Sequence, residues 1–361
     1  MTKIVRAEAY AVSLAYAEAK FWTIGGSESE SHYVVLRLTD EAGREGAAEV
    51  VCKPAWNGAT QGVLLAACAE MGAPLIAGAD AADATAGARL ARSIAGPNGL
   101  QVLLDNAWRD LNWAGPSRPA AIANATVLNR DTPAKMGAAA RRSRDETGTA
   151  AFKIKTGQGL EADRAAIAAI RAAVGEGALL TADANGAYTA ADVPALDAIL
   201  ADLGVVFSED PCPLAPDAAA ERLIRGAKVP LLVDKAGKAV DAVRAFQDRG
   251  ATHFSVKPTR MGLSEAETVA DMAAAICIGT SAEGPLGALV QLRLAASLPH
   301  PDRLISAELD FHRELADHYL TEPLAIGDGR LTLPAGRNAA ACVDWSKLAR
   351  LAHTRRELPG L

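Results

Sequence analysis

Aromatic side chains are scarce in this chain: Trp, Tyr and Phe together make up 4% of it. A core with so few large rings has to be built mainly from aliphatic side chains and alanine. Cysteine is sparse as well. Cys52, Cys68, Cys212, Cys277 and Cys342 are odd in number, far apart and without a CxxC pair. That pattern argues against a disulfide framework and predicts free, inert core thiols in a cytoplasmic protein. No charge-free apolar run reaches membrane-spanning length, so no membrane partner is expected, and the opening Met1-Thr-Lys-Ile-Val-Arg6 lacks the apolar stretch of a secretory signal. A basic stripe is also missing and the net charge is −6, so no nucleic-acid partner is expected. What remains is a mildly acidic globular chain, half of it apolar.

Its 361 residues exceed one ordinary domain, and the stretch from Phe152 to Glu283 organises them. Short β-branched apolar runs recur there, each ending near a charge: Ala151–Thr156, Leu179–Asp183, Val205–Glu209, Leu231–Asp234, His253–Lys257 and Ile276–Glu283. Lys155, Asp183, Glu209, Asp234, Lys257 and Glu283 follow one another at intervals of 23 to 28 residues. Such an interval holds one strand and one helix, the mark of a repeated βα unit. The intervening stretches agree: Ile167, Ile170 and Val174, then Val193, Leu196, Leu200 and Leu203, fall at helical spacing. Two further strand candidates, Ala125–Asn129 and Arg303–Glu308, flank the series. Eight parallel strands predict an α/β fold, a closed barrel whose strand ends share one mouth.

Upstream the chain reads differently. Lys3–Leu14 alternates loosely as a strand, and Phe21–Gly26 interrupts it with two aromatics and a Gly pair. His32–Thr39 and Glu45–Val51 predict a hairpin, and Lys53–Gly58 is a second irregular segment. Helices are expected over Gln61–Ile76, Ala81–Ile94 and Asn98–Leu111. Residues 1–117 therefore form an α+β domain, joined through Gly115–Pro119 to a barrel domain at 118–320. Downstream, Pro323–Pro334 holds a strand pair around Gly327-Asp-Gly329, and Cys342–Leu351 a final helix.

Asp183, Glu209 and Asp234 lie on three consecutive strands. Three carboxylates in one mouth repel each other unless a cation sits among them. All-oxygen ligation with room for substrate suits Mg²⁺, with Mn²⁺ as the alternative. Lys155 and Lys257 come from the strands on either side, so their ammonium groups face each other across the mouth. That arrangement suits removing a proton from carbon on one face and returning it on the other. Lys153 shares a face with Lys155. Its charge and the cation would both favour the neutral, basic form of Lys155.

Lys153-Ile-Lys155, Asp183, Glu209-Asp-Pro211, Asp234 and Val256-Lys-Pro258 together resemble the muconate lactonizing subgroup of the enolase superfamily. The resemblance covers nearly the whole chain, including the late Gly327-Asp-Gly-Arg-Leu segment. It implies a modified TIM barrel of seven βα units plus a last strand, with a capping domain to which the tail, 321–361, returns. It also implies a homo-oligomer acting on a small-molecule carboxylate, abstracting its α-proton to give a Mg²⁺-stabilised enediolate. Lys155 and Lys257 would be the bases, Asp183, Glu209 and Asp234 the ligands, and Lys153 a holder of the substrate carboxylate. The mandelate-racemase subgroup uses a late barrel His instead, and no His occurs between His253 and His300. The chain departs from the pattern at Lys235, where the family has an acid. Lys235 either weakens the metal site or points away, since strand neighbours face opposite sides. The connector after Trp113 also lacks the usual Gly-Gly.

Other residues complete the expected site. Asn185 is either part of a turn with Gly186 or a polar wall of the pocket. Ser281, Glu283, Glu308 and Asp310 sit where enzymes of the resembling subgroup sort substrates, and Glu283 is either a charge partner for Lys257 or a substrate contact. The acids Glu308 and Asp310 would suit an amine-bearing group, favouring an amino-acid-like substrate. Trp22 and Trp56, in the irregular segments 19–30 and 51–58, are expected to lid the pocket. His312 and His318 are expected on a solvated surface. Racemisation or epimerisation uses both lysines fully; cycloisomerisation of a muconate-type diacid and syn-dehydration, as in succinylbenzoate synthesis, are the alternatives. Outside this class stand a Schiff-base lysine aldolase, against which the three carboxylates argue, and a non-catalytic binding protein.

Overall fold

Three antiparallel strands, β1 (Ile4–Trp22), β2 (Gly26–Asp40) and β3 (Glu45–Val51), open the computed structural model. The structure describes residues 1–22, 26–95 and 98–360; the side chains of Phe21 and Trp22 are outside that description. Period-two alternation buries both faces of the sheet. Ala9, Ala11, Val34 and Leu36 pack against the helices that follow, whereas Tyr10, Val12, Tyr33 and Val35 join the core shared with the barrel. The loose pattern of Lys3–Leu14 has this cause, because a strand covered on both sides needs no polar face. Residues 19–22 and 26–30 of the segment expected to be irregular are strand instead, and residues 23–25 lie outside the described residues. β1 and β2 stay paired out to Trp22 and Gly26, with one register break between Ala15 and Lys20.

Among the described residues the helices that follow are α1 (Pro54–Asn57), α2 (Gln61–Ala67), α3 (Ala73–Ala77), α4 (Ala86–Ser93) and α5 (Asn98–Leu111). A π-helical turn at Cys68–Gly72 divides the helix expected over 61–76, and the one expected from Ala81 begins at Ala86. On α5, Leu100, Leu103, Leu104 and Trp108 pack into the sheet's core, while Asp105, Asn106 and Asp110 are buried polar residues.

After β4 (Ala120–Ala123), strands and helices alternate. They run β5 (Ala125–Leu128), α6 (Pro133–Thr147), β6 (Ala151–Lys155), α7 (Leu160–Val174), β7 (Leu179–Asp183), α8 (Val193–Asp202), β8 (Val205–Glu209) and α9 (Ala218–Gly226). The second half is β9 (Leu231–Val233), α10 (Val240–Gln247), β10 (His253–Val256), α11 (Pro258–Met261), α12 (Leu263–Met272), β11 (Ala275–Ile278), α13 (Pro285–Ser297) and β12 (Leu304–Ala307). β5 to β12 form one eight-stranded parallel sheet in chain order, a modified TIM barrel of seven βα units and a last strand. Phe152, Ile154, Leu180 and Ala182 join the core under α7 and α8, so Lys153, Lys155 and Asp183 turn inward. Among the described residues no backbone pairing joins β5 to β12, so the sheet is not closed by its own ladder. Side chains bridge that seam. Asn124 accepts from Leu309 N at 3.0 Å, and Asn124 Nδ2 and Thr126 Oγ1 donate to Asp310 Oδ2 at 2.8 and 2.9 Å.

The tail returns to the first sheet. β13 (Ile326–Gly327) and β14 (Arg330–Leu333) make the expected hairpin, and β14 pairs antiparallel with β4. α14 (Trp345–Leu351) begins three residues later than expected, where Asp344 accepts from Lys347 N at 2.8 Å as its N-cap. Then β15 (Ala352–Glu357), which the sequence did not suggest, pairs antiparallel with β1. The sheet order becomes β15-β1-β2-β3. All five cysteines are buried and free. No helix among the described residues is long and apolar enough to cross a membrane.

Candidate active site

Lys153 occupies the floor of the barrel mouth. It is 2% exposed. Its Nζ lies 3.1 Å from Asp183 Oδ2, 2.8 Å from Glu209 Oε2 and 2.9 Å from Glu308 Oε1. Burial alone would push this lysine's pKa down, but Glu209, Glu308 and Asp183 outweigh burial and hold it well above the ordinary value. Lys155, on the same inward face and nearer the opening, has its Nζ 2.6 Å from Asp183 Oδ2 and 3.1 Å from Asn185 Oδ1. Lys257, directly after β10, has its Nζ 2.8 Å from Asp234 Oδ2. Burial pushes the Lys257 pKa down, yet Asp234 outweighs it and the net direction is up. The two lysines thus rest on the outer two of three carboxylates, with Glu209 between.

The carboxylates differ accordingly. Burial favours their neutral forms. At Asp183 the neighbouring Lys155 and Lys153 reverse that, and at Asp234 Lys257 and Arg260 do, so both fall below the usual range. Glu209 goes the other way, raised by burial and then by the Asp183 charge. Its Oε1 is buried and has no hydrogen-bond partner among the described residues. A buried carboxylate oxygen left unpaired beside two further carboxylates fits a hard divalent cation, for which oxygen donors are the natural ligands. Among the described residues no three such side chains already form an ion cage; each carboxylate is drawn onto an ammonium or guanidinium group instead.

Two contributors escaped the sequence reading. Arg260 donates to Asp234 Oδ1 at 2.8 Å and to Asp234 O at 3.2 Å. It lies on α11, one turn past Lys257, where Pro258 starts the helix, so a search of strand ends passes over it. Gly279 follows β11, and a Cβ there would lie 2.5 Å from Lys257 Cε and 2.6 Å from Ser255 Oγ. Glycine at this position makes room for the lysine stem.

Lys235 points away from the ligands. Its Nζ donates to Asn185 O at 2.6 Å and its backbone N to Asp210 Oδ2 at 2.9 Å. Asn185, in the left-handed region at φ 51°, therefore links Lys235 to Lys155.

Several expected substrate contacts have protein partners in this structure. Lys153 lies beneath the mouth, its ammonium occupied by three carboxylates. Glu308 accepts from Lys153 and from Thr280 N at 3.0 Å. Asp310 is spent on Asn124 and Thr126 at the barrel seam. Glu283 accepts from Thr259 Oγ1 at 2.6 Å, Thr280 Oγ1 at 2.6 Å and Ser281 N at 2.7 Å, which makes it the fastener of its own loop. Ser281, half-buried, lies in that loop. Trp56 is 40% exposed on α1 with Lys53 over its ring; the Trp22 side chain is outside the described residues. The two expected lid segments are tied by a Lys53–Glu28 ion pair, and Lys20–Glu314 ties the β1 arm to the loop after β12. His312 is not at the surface: it is buried, with Nδ1 3.1 Å from Leu309 O and Nε2 3.0 Å from Leu324 O.

Residues 135–337 match the family described as enolase C-terminal domain-like. The chain is 32% identical to muconate cycloisomerase 1-2 of Acinetobacter lwoffii over 57% of its own length and 55% of that protein's. It is 30% identical to an N-succinylamino acid racemase of Amycolatopsis over 51% of its length and 50% of that protein's. The chain thus spans about half the length of these two relatives. A crystal structure of a muconate lactonizing enzyme from Mycobacterium smegmatis, complexed with muconolactone, superposes with a TM-score of 0.88 at 25% identity, covering 98% of this chain and all of that one.

Proposed function

Because the chain belongs to the enolase C-terminal domain-like family, we propose that it is a divalent-cation-dependent isomerase that removes a proton α to a carboxylate. The observation that carries this reading is the pairing of Lys155 with Asp183 and of Lys257 with Asp234, on either side of Glu209. Asp183, Glu209 and Asp234 would hold the cation, which members of the superfamily generally bind as Mg²⁺. When bound, it supplies positive charge to a substrate carboxylate whose α-carbon is losing a proton. Lys155 and Lys257 stand on opposite flanks, so one accepts the α-proton and the other delivers a proton to the opposite face of the enediolate. Asn185 orients Lys155, and Arg260 shares Asp234 with Lys257. Buried Lys153 keeps the floor electrostatically balanced.

Two bases favour racemisation or epimerisation of a small carboxylate. A second reading is cycloisomerisation of a muconate-type diacid. It gains weight because Glu308 and Asp310, which would have received an amine, are occupied by protein groups. Solvent-deuterium exchange decides between the two. With Mg²⁺ and both enantiomers of an N-succinyl amino acid, Lys155→Ala should abolish α-proton exchange from one enantiomer and Lys257→Ala from the other. A variant that keeps full turnover of cis,cis-muconate while the other is dead assigns one lysine as sole base and favours cycloisomerisation. Normal exchange of both enantiomers in both variants would end the two-base reading.

A further inference from the structure

The two lysines are mounted differently. Lys155 is held by barrel groups, Asp183 and Asn185. Lys257 opens the single turn α11, its carbonyl accepting from Arg260 N at 2.9 Å and Met261 N at 3.0 Å. That turn is clasped from outside the barrel. Asn106, on α5 and 1% exposed, donates through Nδ2 to Pro258 O at 3.0 Å and accepts at Oδ1 from Leu263 N at 2.7 Å. One side-chain amide therefore bridges both ends of the segment that carries Arg260 and follows Lys257. Asp105 continues the clasp, accepting from Ser264 N at 2.8 Å and Ser264 Oγ at 2.6 Å at the start of α12. Between them Gly262 sits at φ +85°, where a Cβ would come 2.7 Å from Asp105 Oδ2, so only glycine lets α5 approach this closely. An Arg109–Glu267 ion pair extends the same contact.

We infer that Asn106 is a positioning residue for Lys257, coupling proton transfer on one face of the substrate to the docking of α5. The inference rests on the reading of Lys257 as a base. Removing the amide leaves the buried Leu263 N–H unpaired and takes one of two donors from Pro258 O, which keeps only Gly262 N at 3.1 Å, and the turn relaxes to satisfy them. The lysine and Arg260 then shift together relative to Asp234, whereas Lys155 keeps all its partners.

The test uses the full chain with MgCl₂, carrying Asn106→Ala or the milder Asn106→Ser, with Ser264→Ala as a control that loosens α12 alone. Hydrogen–deuterium exchange by mass spectrometry is followed over residues 257–264 and 153–158. Alpha-proton exchange is followed for N-succinyl-L- and N-succinyl-D-phenylalanine. Amides at 257–264 should lose protection and those at 153–158 keep it. Exchange from the enantiomer silenced by Lys257→Ala should fall about tenfold or more with KM little changed, and exchange from the other should hold. Equal loss from both enantiomers, or loss from neither, overturns the positioning role. If the wild type exchanges neither enantiomer, the proton-transfer reading itself fails, and changed protection at 257–264 would leave Asn106 a structural clasp only.

Discussion

Lys153 and Glu308 meet at 2.9 Å inside the barrel, although one lies on the second of the eight strands and the other just past the last. Three carboxylates share that one ammonium. Lys153→Met should therefore leave an uncompensated negative cluster and lower stability by about 3–5 kcal/mol. Urea denaturation measures this, and MgCl₂ should recover more of the loss in the variant than it adds to the wild type. A loss well under about 1 kcal/mol, the scale of an exposed pair, would mean the cluster is solvated.

Isothermal titration with Mg²⁺ tests the ligand assignment. Asp183→Asn and Glu209→Gln should each abolish binding or weaken it by roughly tenfold or more, equivalent to about 1.4 kcal/mol. Unchanged affinity in either variant removes that residue from the ligand set.

A pH effect should arise where β3 packs on the loop after β11. Glu49, on β3, accepts from Gly284 N at 2.7 Å, Leu286 N at 3.2 Å and the Tyr319 hydroxyl. Tyr33 and Glu283 also face it. Burial raises its carboxyl from 4.5 to about 7 despite these donors. The folded chain then holds a proton that the unfolded chain has released between those two values. Stability from this group falls as pH rises through that window and is level above it. Comparing urea denaturation of the wild type and Glu49→Gln at pH 5 and pH 8 isolates the effect: the wild type should lose more on going to pH 8. An equal loss in both would show that Glu49 titrates near its ordinary value.

The paired segments above the mouth should respond to ligand. Lys53 carries Glu28 on one side and lies over Trp56 on the other, so closure of either segment moves that indole. Trp56 emission should shift on adding a carboxylate substrate with Mg²⁺, and proteolysis within 51–58 should slow. Lys53→Met should weaken both responses. If neither emission nor cleavage changes with a ligand that binds, these segments are not lids.

The ladder of charged strand ends was legible because a parallel strand fixes which side chains point inward and the βα interval fixes their spacing. Lys153, Lys155, Asp183, Glu209, Asp234 and Lys257 were found by that rule. The rule fails where a side chain's partner comes from elsewhere in the chain. Glu283 and Asp310 look like free acids until Thr259 and Asn124 are seen beside them. Arg260 hides on a helical turn, and Gly279 shows its purpose only next to the Lys257 stem. His312 is polar in sequence yet buried between two carbonyls. β15 was invisible for another reason: five of its six residues, Ala352 to Glu357, are polar or charged, and an edge strand exposed along most of its length carries no apolar alternation.

That strand has a consequence for how the protein is made. β1 is synthesised before the barrel and β15 after it, so the pairing of Glu8 with Glu357 cannot form until the whole barrel has been made. Through that interval β1 has an uncovered edge, its N–H and C=O groups open to another strand. Contacts so distant in sequence also form slowly. Nascent chains should be at their most adhesive while the barrel is growing and lose that tendency when residues 352–357 emerge. Deleting those six residues should accordingly raise aggregation during expression more than it harms the finished site.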